Sequence, residues 1–146
     1  MNRTEPTAPS GTIACLSCVK TKRSNASPAR EMYISALFTK MLAYAESLHP
    51  KAIYILSAKY GLLNQYEVIE PYEKTLKQMS ADERALWGER VLARLREVAD
   101  LENDHFVFLA GKPYRENLLP HIRHYSIPME GLSFGQQLQW LSERTR

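Results

Sequence analysis

Cysteine and glycine are scarce, at two and six of 146 residues, and the hydrophobic 45% of the chain never gathers into the run of ~18–20 residues that crosses a bilayer. These shortages argue against a disulfide-stapled scaffold, a collagen-like repeat and a membrane protein. Histidine is sparse too. His49, His105, His121 and His124 show no metal-ligand spacing, and no metal or other cofactor is expected. The phosphate loop G-x-x-x-x-G-K-[ST], the dinucleotide fingerprint G-x-G-x-x-G, the zinc helix H-E-x-x-H and the nucleophile elbow G-x-S-x-G are all missing. Their absence removes the commonest NTPase, dehydrogenase, metalloprotease and hydrolase readings. Excess charge of one sign is small. With 19 Lys+Arg against 16 Asp+Glu the balance is +3, which as a total identifies no nucleic-acid partner, so any such reading depends on where the cations sit.

What is present reads as one domain with its own core. Residues 1–11, polar and Pro-rich, are expected to be a disordered tail, and residues 12–146 a single α/β domain. The tail has no apolar signal-peptide core, which predicts a cytoplasmic protein with reduced thiols. Cys15 and Cys18 formally match C-x-x-C, yet a Lys/Arg/Ser stretch follows where a redox motif would open a helix. They are read as structural cysteines, with a redox or metal pair as the alternative.

Apolar runs of strand length recur at residues 12–19, 52–57 and 105–110, with a shorter one at 124–127. Between the first two, Ile34, Leu37, Phe38, Met41, Leu42, Ala45 and Leu48 fall at helical spacing. Ser27-Pro28 is placed to begin that helix and His49-Pro50 to end it, so one helix over 28–48 is expected. Ser80-Ala81-Asp82-Glu83 and Ser133-Phe134-Gly135-Gln136 are capping boxes opening two more helices, and Pro113 is placed to begin another that carries Leu118, Leu119 and Ile122. The connection 64–79 has no regular pattern, and a structureless segment of that length is usually functional. Strands alternating with helices require crossover connections, so the expected fold is α/β, three-layer, with a mostly parallel four-stranded sheet and flanking helices.

In open parallel sheets, ligands bind at the carboxyl ends of the strands. The polar residues of this chain concentrate there. The first strand leads into Ser17, Cys18, Lys20, Lys22 and Arg23, the second into Ser57, Lys59 and Tyr60, the third into Lys112, Tyr114 and Arg115, and the fourth into Glu130. Cations converging on one edge make a site for phosphate or another anion, and Tyr60, Tyr72 and Tyr114 offer faces for a base. Each group also has a plainer reading: solvated loop cations, packing rings with a hydroxyl at the surface, and glutamates that simply face water.

Four segments taken together carry a resemblance. Ser17-Cys18-Val19-Lys20-Thr21-Lys22, Ile55-Leu56-Ser57-Ala58-Lys59-Tyr60-Gly61-Leu62-Leu63, Glu70-Pro71-Tyr72-Glu73-Lys74-Thr75-Leu76 and Gly111-Lys112-Pro113-Tyr114-Arg115 resemble a bacterial domain-of-unknown-function family of about this size, over roughly residues 12–142. More distantly, the pattern is similar to the core of archaeosine-synthase-type RNA-modification enzymes, to uracil-DNA-glycosylase-like folds and to the YaaA peroxide-stress proteins. That likeness implies chemistry on or near nucleic-acid bases. The chain departs from uracil-DNA glycosylases in lacking their G-Q-D-P-Y and H-P-S segments, so their catalytic residues are not carried over.

The residues and the resemblance together lead to an expected nucleoside, nucleotide or nucleic-acid partner. The expected reaction is cleavage or exchange of an N-glycosidic bond, with Glu73 or Glu130 as the catalytic carboxylate. Lys59 and Lys112 are expected to hold phosphate or leaving-group oxygens, Tyr60, Tyr72 and Tyr114 to wall the base, and Arg115 to add a phosphate contact. Ser17, Cys18, Lys20, Lys22 and Ser57 complete the expected binding set. The alternatives are a non-catalytic binding module using the same crevice, and an interaction domain in which Ala58-Lys59-Tyr60-Gly61 is merely a turn and Pro71-Tyr72 plugs the core.

Overall fold

The computed structural model describes residues 11–145. The expected disordered tail lies outside the described residues except for Gly11, whose carbonyl accepts the His105 amide. Among the described residues no helix is long and apolar enough to cross a membrane.

The first apolar run forms β1 (Thr12–Ser17), the centre of the sheet. Parallel to it lie β3 (Ala52–Ser57) on one side and β6 (His105–Leu109) on the other, with β7 (His124–Ser126) parallel to β6 at the edge. The sheet has five strands rather than the expected four. The additional one, β4 (Gly61–Asn64), pairs antiparallel with β3, Ser57 opposite Gly61. Gly61 makes that reversal possible at φ +77°, a backbone conformation that L side chains rarely adopt. Leu62 and Leu63, read as the tail of the preceding motif, are in fact the core-facing residues of a returning strand.

Successive residues of β1 enter opposite cores, as the two-residue strand period requires. Ala14 and Leu16 pack with Phe38, Met41, Leu42 and Ala45 of helix α2 (Ala36–Ser47) and Leu141 of α5 (Phe134–Arg144). Ile13 and Cys15 pack with Trp87, Val91, Leu92 and Leu95 of α3 (Ala81–Val98). Both expected capping boxes are present, Ser80 with Glu83 at α3 and Ser133 with Gln136 at α5.

Two expected helices are not continuous. The one placed at 28–48 breaks into a single turn, α1 (Ala29–Met32), and α2. Ser27-Pro28 does not cap it: these residues form β2 (Ser27–Pro28), paired with β5 (Val68–Ile69). The break has a local cause. Tyr33 is extended and bridges to Lys22, Ile34 N–H donates to the Thr21 carbonyl, and Ser35 then caps α2 by accepting the Phe38 amide. After β6, the helix expected from Pro113 through Ile122 is one turn, α4 (Lys112–Arg115), followed by a 3-10 turn at Leu119–His121. A continuous helix would have placed Pro120 in its interior, where it lacks the N–H and clashes with the preceding turn.

Candidate functional site

Beyond the carboxyl ends of β1, β6 and β7 lies a cleft of about 1080 Å³. The β1 loop supplies Ser17, Cys18, Lys20 and Lys22, and the segment after β5 supplies Tyr72, Glu73, Lys74, Thr75 and Lys77. From the β6 end come Lys112, Tyr114 and Arg115, and from the β7 end Glu130 and Phe134. Its apolar floor includes Leu37 and Met41 of α2 with Phe108 and Met129. Charge is concentrated here. Six cationic and two anionic side chains line the cleft, a balance of +4, which exceeds the +3 of the whole chain and leaves the remainder at −1.

Ten of the thirteen residues expected at the site line this cleft; Ser57, Lys59 and Tyr60 do not. The hairpin into β4 turns them aside, leaving Lys59 exposed at its tip with Nζ 5.1 Å from the Tyr60 ring centroid. Ser57 and Tyr60 instead brace Tyr72 from behind. The fully buried Ser57 hydroxyl donates to the Tyr72 hydroxyl at 2.8 Å and accepts the Tyr60 amide at 3.0 Å, while the Tyr60 ring meets Tyr72 edge-on at 5.5 Å. The Tyr72 hydroxyl also lies 2.6 Å from that of Tyr33, and burial pushes both phenols well above the ordinary tyrosine range.

Lys22 rests on this cluster, with Nζ 4.4 Å from the Tyr72 ring centroid and 5.7 Å from that of Tyr33. Partial burial lowers its pKa, and the neighbouring Cys18 and Glu73 work against that shift. The Cys18 thiol donates to the Tyr114 hydroxyl at 3.5 Å. That hydroxyl also accepts the Leu76 amide at 3.3 Å, and burial pushes it up to about 12. Tyr72 and Tyr114 are only 9% and 7% exposed, and Trp87 covers Tyr114 edge-on at 5.8 Å, so neither ring offers an open stacking face. The accessible aromatic on the cleft is Phe134, 63% exposed. Arg115 is largely committed to its own chain, donating to the Ala110 carbonyl at 2.8 Å and pairing with Glu130 at 3.5 Å.

A family model describing DUF6884, a family of unknown function, matches residues 13–143. The chain belongs to that family. No significant match was found among curated proteins or solved structures. The match runs from within β1 to within α5, so every residue lining the cleft falls inside the DUF6884 domain.

Sequence reasoning missed Tyr33, Lys74, Thr75, Lys77 and Phe134. Ser35 preceding Ala36-Leu37-Phe38 was a capping signal that would have broken the long helix and freed Tyr33. Lys74 and Lys77 sat within the connection already marked as functional by its length. Phe134 carried one signal, an aromatic in the first turn of a helix where a polar residue would serve as well.

Proposed function

We propose that this DUF6884 domain handles a nucleoside or nucleic-acid base carrying phosphate, and that it cleaves or exchanges the N-glycosidic bond. One observation carries the reading: a +4 cleft with an apolar floor, cut into a chain whose remainder is slightly acidic. An anionic ligand with a flat apolar portion fits such a lining. The motif likeness to uracil-DNA-glycosylase-like and archaeosine-synthase core domains points to the same substrate class.

In hydrolysis, water adds to the anomeric carbon, the C–N bond breaks and the base departs with a proton. Positive charge grows on the sugar, so a carboxylate beside it lowers the barrier, while donors take the charge gathering on the base. Glu73 and Glu130 are the two carboxylates of the cleft. Lys22, held over Tyr72, and Lys112 are assigned to phosphate or leaving-group oxygens, and Arg115 to orienting Glu130. Liquid chromatography with mass detection of free base released from nucleosides, nucleotides and short oligonucleotides tests the reaction. Glu73→Gln and Glu130→Gln should each reduce release, and a double variant that folds and releases base at the native rate would sink the assignment.

The 64% exposure of the Glu130 side chain favours a second reading, a binding module without chemistry. In that case the glutamine variants keep full affinity, Lys112→Ala weakens it and flattens its salt dependence, and no substrate is turned over.

A further inference from the structure

We infer that the occupant of this cleft is a single nucleic-acid strand longer than one nucleotide, with Phe134 stacking on a base that flanks the one taken inside. The inference rests on the base-handling reading above and adds the class of substrate. Its first support is the number and spread of free cations. Among the described residues, Lys20, Lys74, Lys77 and Lys112 line the cleft from three separate segments, and none has a carboxylate within ion-pairing distance. Elsewhere among the described residues Arg30, Arg84 and Arg94 are paired with glutamates, while Arg90 and Arg96 on α3 are not. One phosphate is satisfied by two cations, whereas four from three segments match a backbone that passes along the rim.

Phe134 is the second, independent support. It stands at the start of α5, fixed by the Ser133 and Gln136 capping box, yet its ring faces solvent. The other large exposed apolar residues among those described, including Ile34, Tyr66 and Leu86, do not line the cleft. An open ring beside a cationic rim is the arrangement on which unpaired bases stack, and a duplex hides those base faces.

Fluorescence anisotropy with labelled ten-nucleotide single strands of DNA and RNA, the corresponding duplexes, and an unlabelled mononucleotide as competitor tests this. At least one strand should bind roughly ten-fold or more tighter than duplex or mononucleotide. Its log–log salt slope should be about −3 if all four lysines each neutralise a phosphate, and Lys77→Ala should flatten that slope by about 0.7. Phe134→Ala should weaken strand binding roughly 5- to 100-fold, leaving the mononucleotide unaffected, and Phe134→Trp should restore it. A duplex bound as tightly as the strand, or no effect of Phe134→Ala, overturns the inference. Equal binding of strand and mononucleotide overturns it too but leaves base handling standing, and no binding of either defeats both.

Discussion

Tyr72→Phe deletes one oxygen and keeps the ring on which Lys22 rests. That oxygen lies 2.6 Å from the Tyr33 hydroxyl and 2.8 Å from the Ser57 hydroxyl. Tyr33 is 2% exposed and Ser57 fully buried, so neither partner can turn to water. Leaving a buried hydroxyl without a partner costs ~1–3 kcal/mol. Ser57 keeps the Tyr60 amide as a donor to it but loses the acceptor of its own O–H, so the loss is shared between Ser57 and Tyr33. A net destabilisation of ~2 kcal/mol is expected, with the Tm lowered by about 4–8 °C for a chain of this size. Urea unfolding and thermal melts monitored by circular dichroism measure both. Tyr33→Phe alone should cost less, about 1 kcal/mol, because Tyr72 keeps Ser57. The double variant should cost less than the sum of the two, since each deletion removes the group the other orphans. A Tyr72→Phe protein as stable as the native one, or strict additivity, would refute the view that this hydroxyl cluster holds the cleft wall in place.

Burial that raises the Tyr114 phenol to about 12 sets a pH dependence. The folded state favours the neutral phenol, so this group's contribution is full below the ordinary value of ~10 and is lost as the pH rises toward 12, at up to ~1.4 kcal/mol per pH unit. Urea titrations from pH 9 to 12 should show that fall, and a Tyr114→Phe protein with the same slope contradicts it. Thiol chemistry should separate the two cysteines. Cys15 is fully buried with its thiol pushed up to about 12, whereas Cys18 lines the cleft, so a disulfide reagent should modify Cys18 in the native protein and Cys15 only in denaturant. Equal rates would disprove that placement. Gly88→Ala improves helix propensity, yet its Cβ would stand 2.8 Å from Cβ of Asn117, so it should destabilise by ~1–3 kcal/mol. Calorimetry showing a stabilised variant would mean that α3 and the segment after α4 do not approach as closely as described.

Features that depend on near neighbours were the legible ones. A capping box spans four residues and closes its own hydrogen bonds, so Ser80 with Glu83 and Ser133 with Gln136 formed where the sequence placed them. Continuous apolar runs marked β1, β3 and β6 because strands covered on both faces tolerate no alternation. What failed depended on partners far along the chain. Nothing within Gly61-Leu62-Leu63-Asn64 distinguishes a strand's tail from a strand returning along β3, and only the pairing of Ser57 with Gly61 settles it. The same hairpin decides the fate of the Ser57-Ala58-Lys59-Tyr60 motif. Three of its residues were expected in the site, and two of them instead form the brace behind Tyr72.

The site's electrostatics followed the same division. Parallel strands oblige their exits to share an edge, which brings Lys20, Lys22, Lys112 and Arg115 to one cleft but not Lys59, turned aside by the hairpin, or Arg23, which pairs with Glu31. Strand ends do not locate Lys74 and Lys77, which reach the cleft from a connection that no strand end aims. Adding them takes the cleft past the net charge of the entire chain, and so the small overall excess conceals a polarised molecule. Total charge is therefore the wrong quantity to read for a partner in this domain. The cations that could have been cancelled by neighbouring acids mostly are, at positions such as Arg30, Arg94 and the cleft's own Arg115, while the five lysines facing the cleft are left for a ligand to neutralise.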